Sequence, residues 1–276
     1  MKGRRDLRLK IETYLKEANC PDIVLANVDV DFCRGFIDFL RYAKNAVRRD
    51  GSVISNGAAH HHQAVLNGAL NKAVRDGILS ANPLKSISSK EKYQPTESMR
   101  EYLTLEEMKA AMAAPCPHED VKRAFLFCCF TGLRYSDVSV LTWRNIKQVN
   151  GGLVVSIQSM RKTEKQVIIP LNQSALKWLP DRNGCKPGQK VFDMTRLSTC
   201  DRCLKKMAVA AGIEKKVSFH TARHSMATLS LTAGGYLYTV GKLLGHTSIN
   251  STQVYADVVM ETKIEAVNRV LEYFSM

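Results

Sequence analysis

The 276-residue sequence predicts a mostly α-helical fold with a small antiparallel β-sheet: an N-terminal helical bundle followed by a mixed α/β domain. Three observations predict it. Apolar residues recur at helical spacing up to residue 76 and again from 104 onward. A strand-like pattern is confined to LVVSIQ and QVIIPL, between 152 and 171. A polar, aperiodic stretch containing Pro95, residues 85–103, separates the two helical regions and reads as a linker. At roughly 100–200 residues per domain the length accommodates two. The expected organisation is a helical domain over 1–84, the linker over 85–103 and a second domain over 104–276.

Each element has its own signal. Leu7, Leu9, Ile11, Tyr14 and Leu15 predict a helix over 5–17. Asp29-Val30-Asp31 caps a second run that carries Phe32, Phe36, Phe39, Leu40 and Tyr42 on one side. A third helix covers His60 to Asp76, with Val65, Leu66, Leu70 and Ala73 inward, and closes at Gly77; Asn82-Pro83 then stops regular structure. The second domain opens on Thr104 with Glu107 three residues on, the pattern of a capping box. Helices follow over Val121–Phe130 and Tyr135–Leu141, then two strands flanking the polar turn MRKTEK. Further helices are expected near 172–178, 197–211, 221–232, 236–244, 249–256 and 261–273.

Composition narrows the function. With 45% hydrophobic and 24% charged residues the chain is neither disordered nor fibrous. No apolar run approaches the roughly 18 residues of a membrane span, and no apolar stretch follows MKGRRDLRLK, so the reading is a cytoplasmic protein without a membrane role. A net charge of +14 favours a polyanionic partner, nucleic acid above all. Both halves are basic: 17 cations to 12 anions through Leu103, and 23 to 14 beyond it. Eight cysteines in such a chain read as thiols, with Cys128 and Cys129 as small core residues. Cys200 and Cys203 form a lone CxxC without a second ligand pair, and His60, His61 and His62 fan out around a helix as solvated or partner-facing groups. No metal site is expected. There is also no GxxxxGK[ST], GxGxxG or HExxH.

What the second domain does carry is a series of cationic and imidazole residues at punctuated positions. TGLRYSD sets Arg134 just after an apolar helix, RKTEK sets Lys162 at a turn, and HTARHS places His220 and Arg223 on one helix face. LLGH ends a helix at His246, and Tyr255 lies nine residues further on. This ordered set resembles the tyrosine recombinase (phage-type integrase) family, over roughly residues 104–276. The front segments VDVDFCRGFIDFL and LNGALNKAVRDGILSANP resemble that family's core-binding, SAM-like domain in the Bacteroides-type mobile-element subgroup.

The resemblance implies a DNA breaking-rejoining catalytic domain that cleaves and religates double-stranded DNA at a recombination core site, without ATP, cofactor or metal. Arg134 and Arg223 would clamp the phosphate, because planar guanidinium forks match its oxygens. Tyr255 would be the nucleophile forming a 3′-phosphotyrosyl link. Lys162 would protonate the leaving 5′-oxygen, His220 would move protons near neutral pH, and His246 would donate to the phosphate. Asp137 would orient an active-site arginine or histidine, and His224 would point into the core. Lys165 remains the rival to Lys162, and Tyr135, Tyr236 and Tyr238 compete with Tyr255, the latter two being expected to pack or to make backbone contacts. In the front bundle Lys10, Arg41, Lys44, Arg48, Arg49 and Lys72 are candidate phosphate contacts. Four protomers would act together on two duplexes, each monomeric when free. An amphipathic tail from Val258 to Met276 would dock on a neighbour. Beginning almost directly in its first helix, the chain is expected to be either shortened by an arm-site-binding domain, the favoured reading, or a minimal recombinase. The rival readings are a type IB topoisomerase and a DNA-binding regulator without catalysis.

Overall fold

A computed structural model describes residues 2–20, 22–45, 51–95, 101–160, 162 and 166–256. The chain divides into two compact units, Met1–Ser98 and Met99–Met276.

In the first unit, α1 (Lys2–Glu17), α2 (Val30–Phe39) and α3 (Asn56–Arg75) enclose a core of Leu7, Cys33, Phe36, Ile37, Leu40, Leu66 and Leu70. Local chemistry starts α2 and α3. Asp29 accepts a hydrogen bond from the Phe32 amide at 2.8 Å, and Ser55 accepts one from the Ala58 amide at 3.3 Å. Ser55 therefore starts α3 a full turn earlier than the histidine run suggests. The Tyr14 ring meets Phe32, Phe36 and Phe39 with centroids 5.4–5.7 Å apart. Gly35 makes room for it, since a Cβ there would lie 2.3 Å from the Tyr14 hydroxyl. Asn82 does not end regular structure but caps a 3₁₀ turn, Pro83–Ser86. The chain continues along this unit: Gln63 and Tyr93 exchange two hydrogen bonds, and Arg34 pairs with Glu91 at 2.9 Å.

Of the three adjacent histidines only His61 is exposed. His62 is buried, which corrects the expectation of a solvated group. Successive helical residues lie about 100° apart, so one of three neighbours falls on the core face. Burial, with Lys10 and His61 adding to it, holds the His62 imidazole below its ordinary value.

The second unit is built around α5 (Glu119–Thr131), which is buried along Val121 and Ala124–Cys129. It packs against α7 (Gln173–Leu176), α8 (Leu197–Ala210) and α9 (Phe219–Thr232). The unit enters through α4 (Leu105–Ala113), where Thr104 and Glu107 form the reciprocal capping box at 2.8 and 3.2 Å. The sheet has three strands rather than two: β1 (Ile146–Val149), β2 (Gly152–Ile157) and β3 (Val167–Pro170), antiparallel in that order. Strand β1 was hidden because its residues are largely exposed, yet Asn150-Gly151 marks the hairpin. Both have positive φ, 48° and 78°, as a two-residue turn between right-twisted strands requires. The remaining helices are α6 (Tyr135–Val138), α10 (Leu237–Leu243) and α11 (Asn250–Ala256). The expected helix at 261–273, the tail from Val258, and Arg48, Arg49 and Lys165 lie outside the described residues.

Candidate active site

The second unit gathers its punctuated residues around Arg223. Ser218 caps α9 and exchanges hydrogen bonds with Thr221, setting the helix phase that turns Arg223 inward. Arg223 is 4% exposed and donates through Nη1 to the Gly132 carbonyl and through Nη2 to the Leu244 carbonyl, both at 2.6 Å. One guanidinium thus ties TGLR and LLGH to HTARHS. Of its five N–H donors, two are committed to the frame and the others remain for a ligand.

Two glycines allow this closeness. Gly132 ends α5 in the left-handed conformation at φ 68°, and a Cβ there would lie 2.7 Å from Leu244 Cδ2. Gly245 has φ 64°, and a Cβ there would lie 2.6 Å from Met160 Sδ. Neither position accepts a side chain without displacement.

Positive charge collects here, with Asp137 and Asp201 acting against it. Burial, then the repulsion of Arg134, lowers the Arg223 guanidinium from its ordinary value to about 10; Tyr255 and Asp137 act in the opposite direction. Arg134 stands at the start of α6 with Nη1 3.9 Å from Met160 Sδ. His220 is open to solvent, yet desolvation by its surroundings and the charges of Lys162, Arg223 and Arg134 lower its imidazole value, while Asp201 raises it. The neutral ring, with one N–H donor and one acceptor nitrogen, is thereby favoured. Asp137 is buried, 3% exposed, near enough for its charge to favour the Arg223 cation.

Tyr255 enters from α11, which packs on α9 and α10. It is 2% exposed, and its hydroxyl lies 2.8 Å from His224 Nδ1. His246 lies parallel to it, ring centroids 6.3 Å apart at 7°, and Nδ1 of His246 meets Thr252 Oγ1 at 2.7 Å. Gly241 makes space for that hydroxyl, since a Cβ there would lie 2.8 Å from Thr252 Oγ1.

The structure thus brings together Arg134, Lys162, His220, Arg223, His246 and Tyr255, with Asp137 behind them. His224, expected to point into the core, is half-buried and meets the hydroxyl of Tyr255, itself part of a buried cluster with Met226, Leu231, Val240 and Leu244. The i,i+4 spacing from His220 already places both imidazoles on one helix face. Thr252 was also missed; it lies one helical turn before Tyr255. The rival tyrosines are elsewhere engaged or exposed. Tyr135 donates to the Thr195 carbonyl at 2.7 Å, whereas Tyr236 and Tyr238 are exposed and so not packed as one of their two readings had it, with Lys242 over the Tyr238 ring.

The front cations are not gathered in this way. Lys10 donates to the Lys44 carbonyl, Lys72 pairs with Asp76, and Arg41 lies 3.4 Å from Asp38. Among the described residues there is no group of three or more His, Cys, Asp or Glu able to hold a metal, and no helix long and apolar enough to cross a membrane.

Comparison with known proteins sets this geometry in context. Residues 101–262 match the model of the phage integrase family, and residues 1–94 match that of the phage integrase SAM-like domain. Tyrosine recombinase XerD of Chlorobaculum tepidum is 29% identical over 203 residues, 66% of this chain and 64% of the relative. Tyrosine recombinase XerC of Chlamydia trachomatis is 29% identical over 240 residues, 80% of this chain and 70% of the relative. The Tn1549 transposon integrase in complex with transposon right end DNA superposes with a TM-score of 0.70 at 18% identity, covering 98% of this chain and 92% of that one. A lambda integrase dimer bound to a COC′ core site gives 0.63 at 20% identity, covering 92% and 88%. Likenesses at this identity establish the fold: mostly helical, with a small antiparallel sheet.

Proposed function

The chain belongs to the phage integrase family, the tyrosine recombinases, and from that premise we propose that it is a site-specific DNA recombinase working through a tyrosine–phosphate intermediate. The single observation that carries this reading is Tyr255: a buried tyrosine hydroxyl bonded to an imidazole beside two arginines that oppose each other. The repulsion of Arg134 on Arg223, opposed by Tyr255 and Asp137, would be relieved further by an anion that both guanidinium groups hold. The phosphodiester supplies one, and its negative charge increases on the non-bridging oxygens as attack proceeds.

In this mechanism Arg134 and the uncommitted donors of Arg223 hold the non-bridging oxygens. Tyr255 Oη attacks phosphorus, a phosphotyrosyl bond forms at the 3′ side and the bond to the 5′-oxygen breaks. Lys162 gives that oxygen its proton. His220 moves protons at the phosphate, and His246, steadied by Thr252, donates a hydrogen bond. Asp137 supports Arg223 from behind. The phosphotyrosyl link conserves the energy of the broken bond, so rejoining needs no nucleotide. The net charge supports double-stranded DNA as partner, with residues 1–84 as a core-binding domain, 85–103 as the connection and 104–276 as the catalytic domain. The likeness to a transposon integrase favours a mobile element as the source of the site. We read the acting species as a cytoplasmic homotetramer on two duplexes.

The test is covalent capture. The chain is incubated with nicked duplexes carrying randomised inverted repeats, denatured, and the DNA that stays attached is sequenced. The expected result is an adduct enriched in one repeat sequence and absent with Tyr255→Phe. An adduct without sequence enrichment would favour a topoisomerase-like activity, and sequence-selective binding with no adduct would favour a regulator.

A further inference from the structure

We infer that His224 is a catalytic residue, the base that takes the phenolic proton of Tyr255. This deepens the function proposed above and rests on it. His220 and His224 stand one turn apart on α9, with ring centroids 6.4 Å apart, and face different chemistry. His220 stands where the charges of Lys162, Arg223 and Arg134 meet, on the phosphate side. His224 turns to α11: its ring centroid is 5.4 Å from that of Tyr255, and Nδ1 lies 2.8 Å from Oη. That is hydrogen-bond reach, the first requirement of a base toward the proton it removes.

The frame fixes the pairing from both sides. His224 follows Arg223 directly, and Arg223 anchors its stretch of α9 to the Gly132 and Leu244 carbonyls. Tyr255 is seated one turn after Thr252, whose approach to α10 depends on the missing side chain of Gly241. The nearest imidazole to the reacting oxygen is therefore part of the scaffold. An imidazole is also the side chain best suited to exchanging a proton near neutral pH.

In the step, Nδ1 accepts while Nε2 carries the ring's own hydrogen. As Oη bonds to phosphorus, its proton passes to Nδ1 and the 5′-oxygen departs with a proton from Lys162. Oη loses one proton and the leaving oxygen gains one, so protons balance between His224 and Lys162. A phenol holds its proton about three to four pH units more tightly than an imidazole. The transfer therefore accompanies the attack and does not precede it. In rejoining, the 5′-hydroxyl attacks phosphorus, Tyr255 departs and recovers its proton from His224.

The test uses the duplex selected by covalent capture, made with either oxygen or sulfur at the scissile 5′ position. Sulfur leaves without a proton, so it relieves a missing acid but not a missing base. His224→Asn keeps a hydrogen-bonding group near Oη that cannot serve as the base. The expected result is an adduct rate about 10²-fold below the parent for both His224→Asn and His224→Ala. The deficit should persist on the sulfur duplex, with affinity for the duplex retained. Lys162→Ala should recover on sulfur. A His224→Asn rate within a few-fold of the parent would overturn the inference, because a positioning bond would then suffice. So would rescue of His224→Asn by sulfur, which would assign His224 to the leaving group. An adduct from the parent in the same series keeps the proposed function standing whichever way His224 falls. No adduct from the parent overturns both.

Discussion

Both units pair surface cations with nearby anions, Lys215 with Glu107 at 2.7 Å and Arg123 with Glu119 at 3.5 Å in the second, but the second also buries the guanidinium of Arg223. In the first, surface cations are answered by nearby anions: Arg8 by Glu12 at 2.7 Å, Arg34 by Asp31 and Glu91 at 3.1 and 2.9 Å, and Arg41 by Asp38 at 3.4 Å. In the second, Arg223 is buried, opposed by Arg134, and bonded to carbonyl dipoles. Exposed pairs contribute about 0–1 kcal/mol and exchange readily with other partners. A buried guanidinium opposed by its neighbour is fixed by the fold and is relieved by an anion that binds both. The first arrangement suits an adaptable grip on a polyanion; the second suits one phosphate in one place.

The comparison breaks most severely at the fork itself. Arg223→Lys keeps the charge but cannot bond both Gly132 and Leu244, since an ammonium on a flexible stem lacks the planar geometry. Adduct formation should fall by roughly 10²–10³. Arg41→Lys, in an exposed pair, should change the same rate little. Equal losses in the two variants would dissolve the distinction between the units.

A smaller effect separates strain from crowding. Gly132→Ala and Gly77→Ala both place a side chain at positive φ, 68° and 73°, but a Cβ at Gly77 meets nothing within 4 Å. Chemical denaturation should show a loss of about 1–2 kcal/mol for Gly77→Ala from the backbone conformation. Gly132→Ala should lose more and lose adduct formation as well, because Leu244 and Met226 must shift. Comparable stability losses would mean that the closeness of TGLR to LLGH is not tight.

The smallest effect concerns pH in the first unit. His62 is buried with its imidazole held below its ordinary value of 6.5, so the unfolded chain binds its proton first as pH falls. Its contribution to stability is present above that value and is lost as pH falls through the lowered one. Melting followed across that range should show acid destabilisation, and His62→Gln should flatten it. An unchanged slope would assign the acid sensitivity to other groups.

Much of this was legible in the sequence because the signals are local. Asp29, Thr104 and Glu107 cap through residues three positions away, and the apolar face of α2 follows helical period. The ordered motifs from Arg134 to Tyr255 marked the candidate site without any coordinate. What escaped depends on tertiary placement or on weak burial. Strand β1 exposes most of its side chains, so only its Asn-Gly turn distinguishes it. His62 and His61 differ by one step of helical rotation. His224 gains its meaning from α11, whose seat depends on Thr252 fitting over Gly241, a contact no spacing rule describes. The front cations looked alike in sequence, yet Lys10 and Lys72 are bonded within their own unit.

The bonds of Arg223 reach residues 91 and 21 positions away along the chain. A ribosome-bound or half-folded chain therefore has the arginine, the imidazoles and the tyrosine, yet lacks the fork that aims them. The fork forms only after α5, α9 and the turn at Gly245 have met. On the proposed function, tertiary closure would thus act as the safety catch of the cleaving site.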